Sequence, residues 1–584
     1  MSSRHFINDP AKLVNDALKS ITYTNPNAAL DSENKIVYLR PDASRTQVSI
    51  VSGGGSGHEP SFAAFVGPGL LSGAVAGTIF ASPSAEQVRR CIFSRVEKSK
   101  GVLVVVMNYT GDVLNFGMAV EKAKAAGIAC EMVVMGDDAG VGRAKGGKVG
   151  RRGIAGTVLV HKIAGALAKD GATLGEVYKA AQLVADNTVS IGSSLSHVHV
   201  PGRAKAEAEG ELKDDEVEVG MGIHNEDGYE RTKADLPKTV KTMLKYMLDS
   251  SDKDRGFLQV SQTEETILLV NNLGGVSVLE MGGITSEVVE QLEKSYGIKP
   301  ARILSGTFMT SLNGLGFSIS LLRVTDLGLS KSMIELLDAP SEAAGWSAAI
   351  STKTWSKPPN KTLNQAADAG AENKASGLQI DPKLTTKALA HALDRVISAE
   401  PDITRYDTVV GDGDCGIGLK RGAEGIKSHL DGASSQTDAA LFLDSIIDVV
   451  ENTMDGTSGA LYAIFLNALA FGLREQDGQS GIADAKVWAK ALERAMESLE
   501  KYTPAKPGDR TLVDALAPFV EELSKSADVQ KAAQAAEAGS KSTRGMKASL
   551  GRTVYVGGSG FEEVPDPGAY GLSEFLSGLA DGLR

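Results

Sequence analysis

The sequence is poor in cysteine, in net positive charge and in long apolar runs. Among 584 residues only Cys91, Cys130 and Cys415 are cysteines, and none is spaced as a metal-ligand pair. Three isolated thiols form no disulfide framework and suit a reducing compartment, so a cytoplasmic location is expected. The formal net charge is -12 and the pI about 5.4. That balance argues against nucleic acid or an anionic membrane as the main partner. No apolar signal core follows Met1, and Ala580–Arg584 is no peroxisomal tripeptide. The longest apolar run, Ser458 to Leu473, is interrupted by Asn467 and reads as a buried helix too short to span a membrane. The common nucleotide motifs are missing too. Gly142-Arg-Ala-Lys-Gly-Gly-Lys148 has Val149 where a P-loop needs Ser or Thr, and the Gly53 loop lacks G-x-G-x-x-G spacing.

What is present divides the chain in two. Its length implies several domains. Residues 1–352 alternate β-branched runs, such as Thr46–Val51, Gly101–Val106 and Thr266–Val270, with helical stretches such as Ala85–Ser99 and Asn115–Ala126. This predicts an α/β substrate-binding part with two α/β subdomains, about 1–184 and 185–352, and ligand loops after the strands. The acidic stretch Ala204 to Glu218 reads as a solvated loop. Residues 353–378, rich in Pro, Asn, Ala and Lys, read as a linker. From 379 to 584 the helical period takes over: Thr385–Ser398, Ala439–Asn452, Ala460–Arg474, Ala483–Tyr502, Leu512–Ser524 and Leu572–Leu583. The strand hint there is Thr553–Val556, and an all-α domain with glycine motifs in its loops is expected.

The densest chemistry lies in Asp407-Thr-Val-Val-Gly-Asp412-Gly-Asp414. Three carboxylates on a turn-prone backbone invite a hard cation, Mg²⁺ foremost, although an acidic turn can also stay merely solvated. Further loops accompany it. Thr457, Ser458 and Gly459 open an apolar helix, offering either an anion site or a simple cap. Lys506–Asp514, with Gly508, Arg510 and Thr511, puts an acid and a base before another helix. Gly551-Arg552 and Asp566-Pro-Gly568 close the set. Helix starts and aspartates together would hold a nucleotide polyphosphate with its metals.

In the first part, His58 follows Gly53-Gly-Gly-Ser-Gly57 in what reads as an exposed turn. Asp112 ends Asn108-Tyr-Thr-Gly-Asp112, and His224 ends Gly220-Met-Gly-Ile-His224. Alone, His58 reads more as polar surface than as a catalyst, and His224 fits core packing as well as close approach to a ligand. Together two histidines and an aspartate have the chemistry to attack and polarise a carbonyl and to deprotonate a hydroxyl. His161 falls in an apparent helix and reads as packing; His197 and His199 are ambiguous.

In order along the chain, Gly53–Pro60, Asn108–Asp112, Gly146–Arg152, Gly220–His224, Asn271–Gly275, Gly411–Asp414 and Gly456–Gly459 resemble the ATP-dependent dihydroxyacetone kinases, over nearly the whole length. The resemblance implies an α/β substrate domain and an all-α helical-barrel nucleotide domain. It implies a substrate held as a hemiaminal on His224, with His58 assisting, Asp112 as base, and Gly55 and Ser56 lining the pocket. It implies Asp407, Asp412 and Asp414 as ligands of two Mg²⁺ ions, ATP held by Thr457, Ser458, Gly459, Gly508, Arg510, Thr511, Arg552, Asp566 and Gly568, and a homodimer with sites formed between chains. D-Glyceraldehyde is implied as a second acceptor. Two departures stand out: Met107 replaces a usual lysine, and Asp455 a common glycine. Other readings are an FAD lyase forming cyclic FMN and a non-catalytic triose sensor. A phosphoenolpyruvate-driven kinase would need a phosphocarrier domain that the chain does not show.

Overall fold

The structure is a computed structural model that describes all residues except 1–4, 43–45, 204–211, 349, 357–373, 433–435, 455, 477–480 and 551–559. The chain forms two compact units, Met1–Lys361 and Thr362–Arg584. Most of the segment expected as a linker, the strand hint at Thr553–Val556, Arg552 and Asp455 lie outside the described residues.

The first unit is built on two six-stranded sheets. One has β1 (Ala28–Asp31), β2 (Ile36–Leu39), β3 (Ser49–Ser56), β4 (Gly73–Ile79), β5 (Val102–Met107) and β6 (Cys130–Met135) in the order β1-β2-β4-β3-β5-β6. The run β4-β3-β5-β6 is parallel. All of β3 and β5 is buried, which is why both read as continuous apolar or glycine runs without alternation. The chain leaves β3 to pair β4 on one side and β5 on the other. The ends of β3 and β5 therefore flank a switch point, where open α/β sheets gather their ligands. The other sheet has β7 (Thr188–Ser194), β8 (Glu216–Val219), β9 (Glu230–Lys233), β10 (Thr266–Asn272), β11 (Arg302–Gly306) and β12 (Gly316–Arg323) in the order β11-β10-β12-β7-β8-β9. It is antiparallel except for β10 with β11.

Several expectations need correction here. The acidic stretch does not end as a solvated loop: Glu216–Val219 is β8, and Glu218 is buried. Its carboxylate accepts from His197 Nε2 at 2.7 Å, Gly228 N–H at 2.8 Å and Arg231 Nε at 3.2 Å, an ion-pair network whose cation is the Arg231 guanidinium. The helix expected over Ala85–Ser99 stops at Arg90 and continues to Arg95 in π geometry. The helix expected from Asn115 starts at Thr110 and so includes Asp112.

His161 does pack inside the helix Thr157–Lys169, edge-on to Phe62, and neither ring nitrogen has a hydrogen-bond partner among the described residues. Burial pushes it down to about 3 from the ordinary 6.5. As pH falls below 6.5 the unfolded chain gains a proton that the folded one refuses until about pH 3. Stability is therefore lost over that window, at about 1.4 kcal/mol per pH unit for this residue. His161→Leu, which removes the buried orphan atoms, is expected to flatten the fall in melting temperature of the first unit between pH 6.5 and 4. An unchanged slope would show that His161 is not held neutral.

Among the described residues the second unit is helical: Pro382–Val410, Cys415–Gly432, Ala439–Thr453, Gly456–Arg474, Ala485–Leu499, Val513–Ser526, Val529–Ser542 and Pro567–Gly582, with one two-residue strand pair, β13 (Leu378–Gln379) and β14 (Gly481–Ile482). Small residues set the close packing of its first and last helices. A Cβ placed on Gly578 would lie 2.7 Å from Ala392 Cα, and one on Gly582 would lie 2.5 Å from Ala388 Cα. Asp381 and Asp566 cap these two helices, each followed by proline at the first helical position. The apolar run is the helix Gly456–Arg474. At nineteen residues it is long and apolar enough to cross a membrane by length and composition, which corrects the expectation of a run too short to span, and a third of its apolar window is buried.

Candidate active site

Gly53–Ser56 is not a loop but the end of β3. The backbone there runs hard against its neighbours: a Cβ on Gly55 would sit 2.7 Å from Ala81 N, and one on Gly57, at φ +105°, 2.8 Å from the Phe80 ring. Ser56 Oγ donates to the Gly77 carbonyl at 2.9 Å and so braces the strand. These contacts turn the chain inward, and His58 is fully buried, not exposed as its glycine-rich context suggested. Its Nδ1 lies 2.8 Å from the Thr310 carbonyl oxygen, brought in by the β11–β12 connection.

His224 arrives from the β8–β9 connection. Its Nδ1 is 3.0 Å from Glu226 Oε1, and its backbone N–H donates to Glu226 Oε2 at 2.9 Å. The two histidines meet at Nε2, 3.1 Å apart. Thr310 can only accept, so His58 carries its proton on Nδ1; Glu226 is ionised, so His224 does likewise. The two Nε2 lone pairs then face each other at 3.1 Å, and a proton taken up between them would bridge the rings. Burial, and then neighbouring His224, push His58 down to about 3. Burial works to raise Glu226, but its hydrogen bond to His224 and the charge there outweigh it and bring the carboxyl down to about 2.

Aromatic rings wall the pair. Phe80 stacks on His58 with centroids 5.3 Å apart, while Phe80 and Tyr109 meet the His224 ring edge-on at 5.1 and 4.7 Å. Asp112 stands in the first turn of the helix Thr110–Ala125, where backbone N–H groups favour a carboxylate. It is buried, and its Oδ1 has no partner among the described residues. Burial raises its carboxyl against the pull of Ser82 and His224. Phe80, Asn225 and Leu312 all have left-handed backbones, φ +60°, +66° and +49°, and all three adjoin the histidine pair. Such strain persists only where surrounding contacts enforce it. Asn225 shows how: its side chain accepts from Val198 N–H at 2.9 Å and donates to Val198 O at 2.8 Å. Arg152 adds a clasp, donating to Asp138 at 2.8 Å and to the Gly220 carbonyl at 2.8 Å. The sequence reading gave no role to Glu226, Thr310, Asn225 or Arg152, although Arg152 closes the Gly146–Arg152 motif. Of the others, only Glu226, two residues after His224, left a local signal.

The second unit holds the acidic cluster. Asp407 is not on the loop: the helix Pro382–Val410 runs through Pro401 and carries Asp407 in its last turn. Its Oδ2 accepts from Cys415 N–H at 2.9 Å, folding the Gly411–Asp414 turn back onto the helix end. One ligand atom each from Asp407, Asp412 and Asp414 falls within 4.8 Å of the others. Burial raises the Asp407 carboxyl, the Cys415 N–H opposes this, and Asp412 and Asp414 raise it further. Three hard oxygen donors that repel one another fit Mg²⁺.

Thr457, Ser458 and Gly459 form the first turn of the helix Gly456–Arg474 rather than a loop. Asp514 accepts from Gly508 N–H at 2.6 Å and Thr511 N–H at 2.8 Å, shaping the loop before its helix. Arg510 is buried, and its guanidinium donates to the carbonyls of Met546, Phe561 and Val564 at 2.7, 2.8 and 2.9 Å. Its place is therefore to hold that loop against the chain beyond it. Asp566 and Gly568 lie at a helix start, and burial pushes Asp566 up to about 7 against the Ala569 N–H and Arg510.

A Dak1 domain model matches residues 19–345 and a DAK2 domain model residues 409–581. A dihydroxyacetone kinase of Komagataella pastoris is 44% identical, covering 100% of this chain and 98% of its own. The chain belongs to the dihydroxyacetone kinase family. A triokinase/FMN cyclase of Homo sapiens is 36% identical and covers 100% of both chains. Among solved structures, the family's dihydroxyacetone kinase from C. freundii, in complex with AMP-PNP and Mg²⁺, superposes with a TM-score of 0.64 at 31% identity. That match covers 99% of this chain and 100% of the other. The α/β and helical halves of the fold are thus those of the family.

Proposed function

We propose that this chain transfers the terminal phosphoryl group of ATP to dihydroxyacetone held covalently on His224, and that it also accepts D-glyceraldehyde. The observation that carries the reading is the His58–His224 pair, with each outer nitrogen held and the two Nε2 atoms face to face. The His224 Nε2 lone pair forms the bond to the carbonyl carbon. The π electrons of the carbonyl move to its oxygen, and the proton shared between the rings passes through His58 Nε2 to that oxygen. Glu226 balances the imidazolium left on His224. Low basicity suits His58 to hand the proton on rather than keep it. Glycerol has no carbonyl and cannot be captured. Asp112, whose carboxyl burial makes more basic, accepts the proton of the hydroxyl as the phosphoryl group arrives.

Asp407, Asp412 and Asp414 would hold Mg²⁺, two ions in this reading, and the helix starts at Thr457–Gly459 and Asp566–Gly568, with the loop Gly508–Thr511, would receive the nucleotide. Magnesium supplies charge neutralisation on the transferring phosphates. The reading carries with it a homodimer and, with three unpaired cysteines, a cytoplasmic enzyme. A triose sensor would have no use for the aspartate cluster. The test is ADP release with Mg·ATP. Release is expected with dihydroxyacetone and absent with glycerol; equal release from both would overturn covalent capture. The relative that is also an FMN cyclase gives one second reading, lysis of FAD to cyclic FMN. Incubation with FAD and Mn²⁺ decides it.

A further inference from the structure

The histidine pair and Asp112 leave part of the site unexplained. In the segment Asn108–Asp112 two buried oxygen atoms have no hydrogen-bond partner among the described residues: Asp112 Oδ1 and the Tyr109 hydroxyl. A buried hydroxyl left unpaired is costly, and native structures keep few of them. Asn108, by contrast, donates to the Val149 and Arg151 carbonyls at 2.8 and 2.7 Å and is fully used. The Tyr109 ring lies edge-on to the His224 ring, 4.7 Å between centroids, so the phenol ring packs directly against the imidazole that would carry the substrate. Met107, at the end of β5, is buried in the sheet core and offers no hydrogen.

We propose that Tyr109 is a specificity-determining residue whose phenol binds the substrate hydroxyl that is not phosphorylated. This rests on the reading of dihydroxyacetone as substrate, and the count follows from its formula. The carbonyl goes to His224 and His58. One hydroxyl faces Asp112 and gives up its proton. The second hydroxyl meets the Tyr109 phenol, which both donates and accepts. Two orphan oxygens thus match two hydroxyls. A site built to bond a hydroxyl rejects the analogue lacking it, because the protein group is left dry and unpaired.

The experiment pairs Tyr109→Phe with 1-hydroxypropan-2-one, a ketone that keeps one hydroxyl and lacks the other. The wild type is expected to prefer dihydroxyacetone over this analogue by roughly 100-fold or more in kcat/KM. Tyr109→Phe is expected to lose about 10- to 100-fold on dihydroxyacetone and to stay within about 3-fold of wild type on the analogue, collapsing the preference. Adduct formation, followed without nucleotide by the ¹³C signal of labelled dihydroxyacetone, is expected to weaken by the same factor. Equal losses on both substrates would assign Tyr109 to packing against His224 and overturn the proposal, as would no loss on either. A wild type that ignores dihydroxyacetone would sink the underlying function instead, since the comparison of variants never enters that result.

Discussion

His224→Ala is expected to lower dihydroxyacetone-dependent ADP release by roughly 10³-fold or more and to abolish the covalent adduct. The size follows from what the residue does. Covalent capture fixes the reacting hydroxyl next to Asp112 and removes the freedom a loosely bound triose retains. Alanine also leaves His58 Nε2 facing an empty pocket and Glu226 without its imidazole. Folding is little affected, because the β8–β9 connection stays pinned by Asn225 to Val198 and by Arg152 to Gly220. Two measurements separate the outcomes: mass of the protein–substrate adduct after borohydride-free trapping in the cold, and steady-state turnover. Activity within about 10-fold of wild type would remove His224 from the nucleophile's role.

The sequence exposed this site unevenly, for physical reasons. His58, Asp112 and His224 were visible because each ends a short glycine-bearing motif, and the first two follow buried parallel strands. The burial of His58 was not visible, since it depends on Thr310, 252 residues away, and on Phe80. A glycine-serine run reads locally as a turn. Only the sheet shows that it is a strand too tightly packed for side chains. Glu218 misled in the same way: in a run of acids it reads as solvated, and its partners are His197, in the segment after β7, and Arg231, in β9. In the helical unit, the apolar period pointed to a helix over Thr385–Ser398, and the helix in fact continues through Pro401. The helix runs nine residues further, from Pro401 to Val410, and this moves Asp407 from a loop to a rigid helix end. Arg510 read as a cation for phosphates, whereas its fork is occupied by three carbonyls.

That rigid end gives the second large effect. Asp407→Asn is expected to cut ADP release by about 10²- to 10⁴-fold and to weaken Mg²⁺ binding in parallel. Asparagine keeps the size and still accepts the Cys415 N–H, so the turn through Gly411–Asp414 is held. What changes is charge: the cluster falls from three carboxylates to two, and the one removed is the buried member that its helix places without freedom to adjust. Asp412 and Asp414 are exposed and less constrained. A cation that binds the folded unit stabilises it by mass action, in proportion to the logarithm of its concentration over Kd. Magnesium should therefore raise the melting temperature of the wild-type helical unit, and this shift should vanish in Asp407→Asn while the melting temperature without magnesium stays close to wild type. A variant that keeps the full magnesium-dependent shift would mean that the three carboxylates do not form the metal site. The phosphoryl-transfer reading would then have to place its cation elsewhere, because an uncompensated polyphosphate cannot approach a surface carrying this much negative charge.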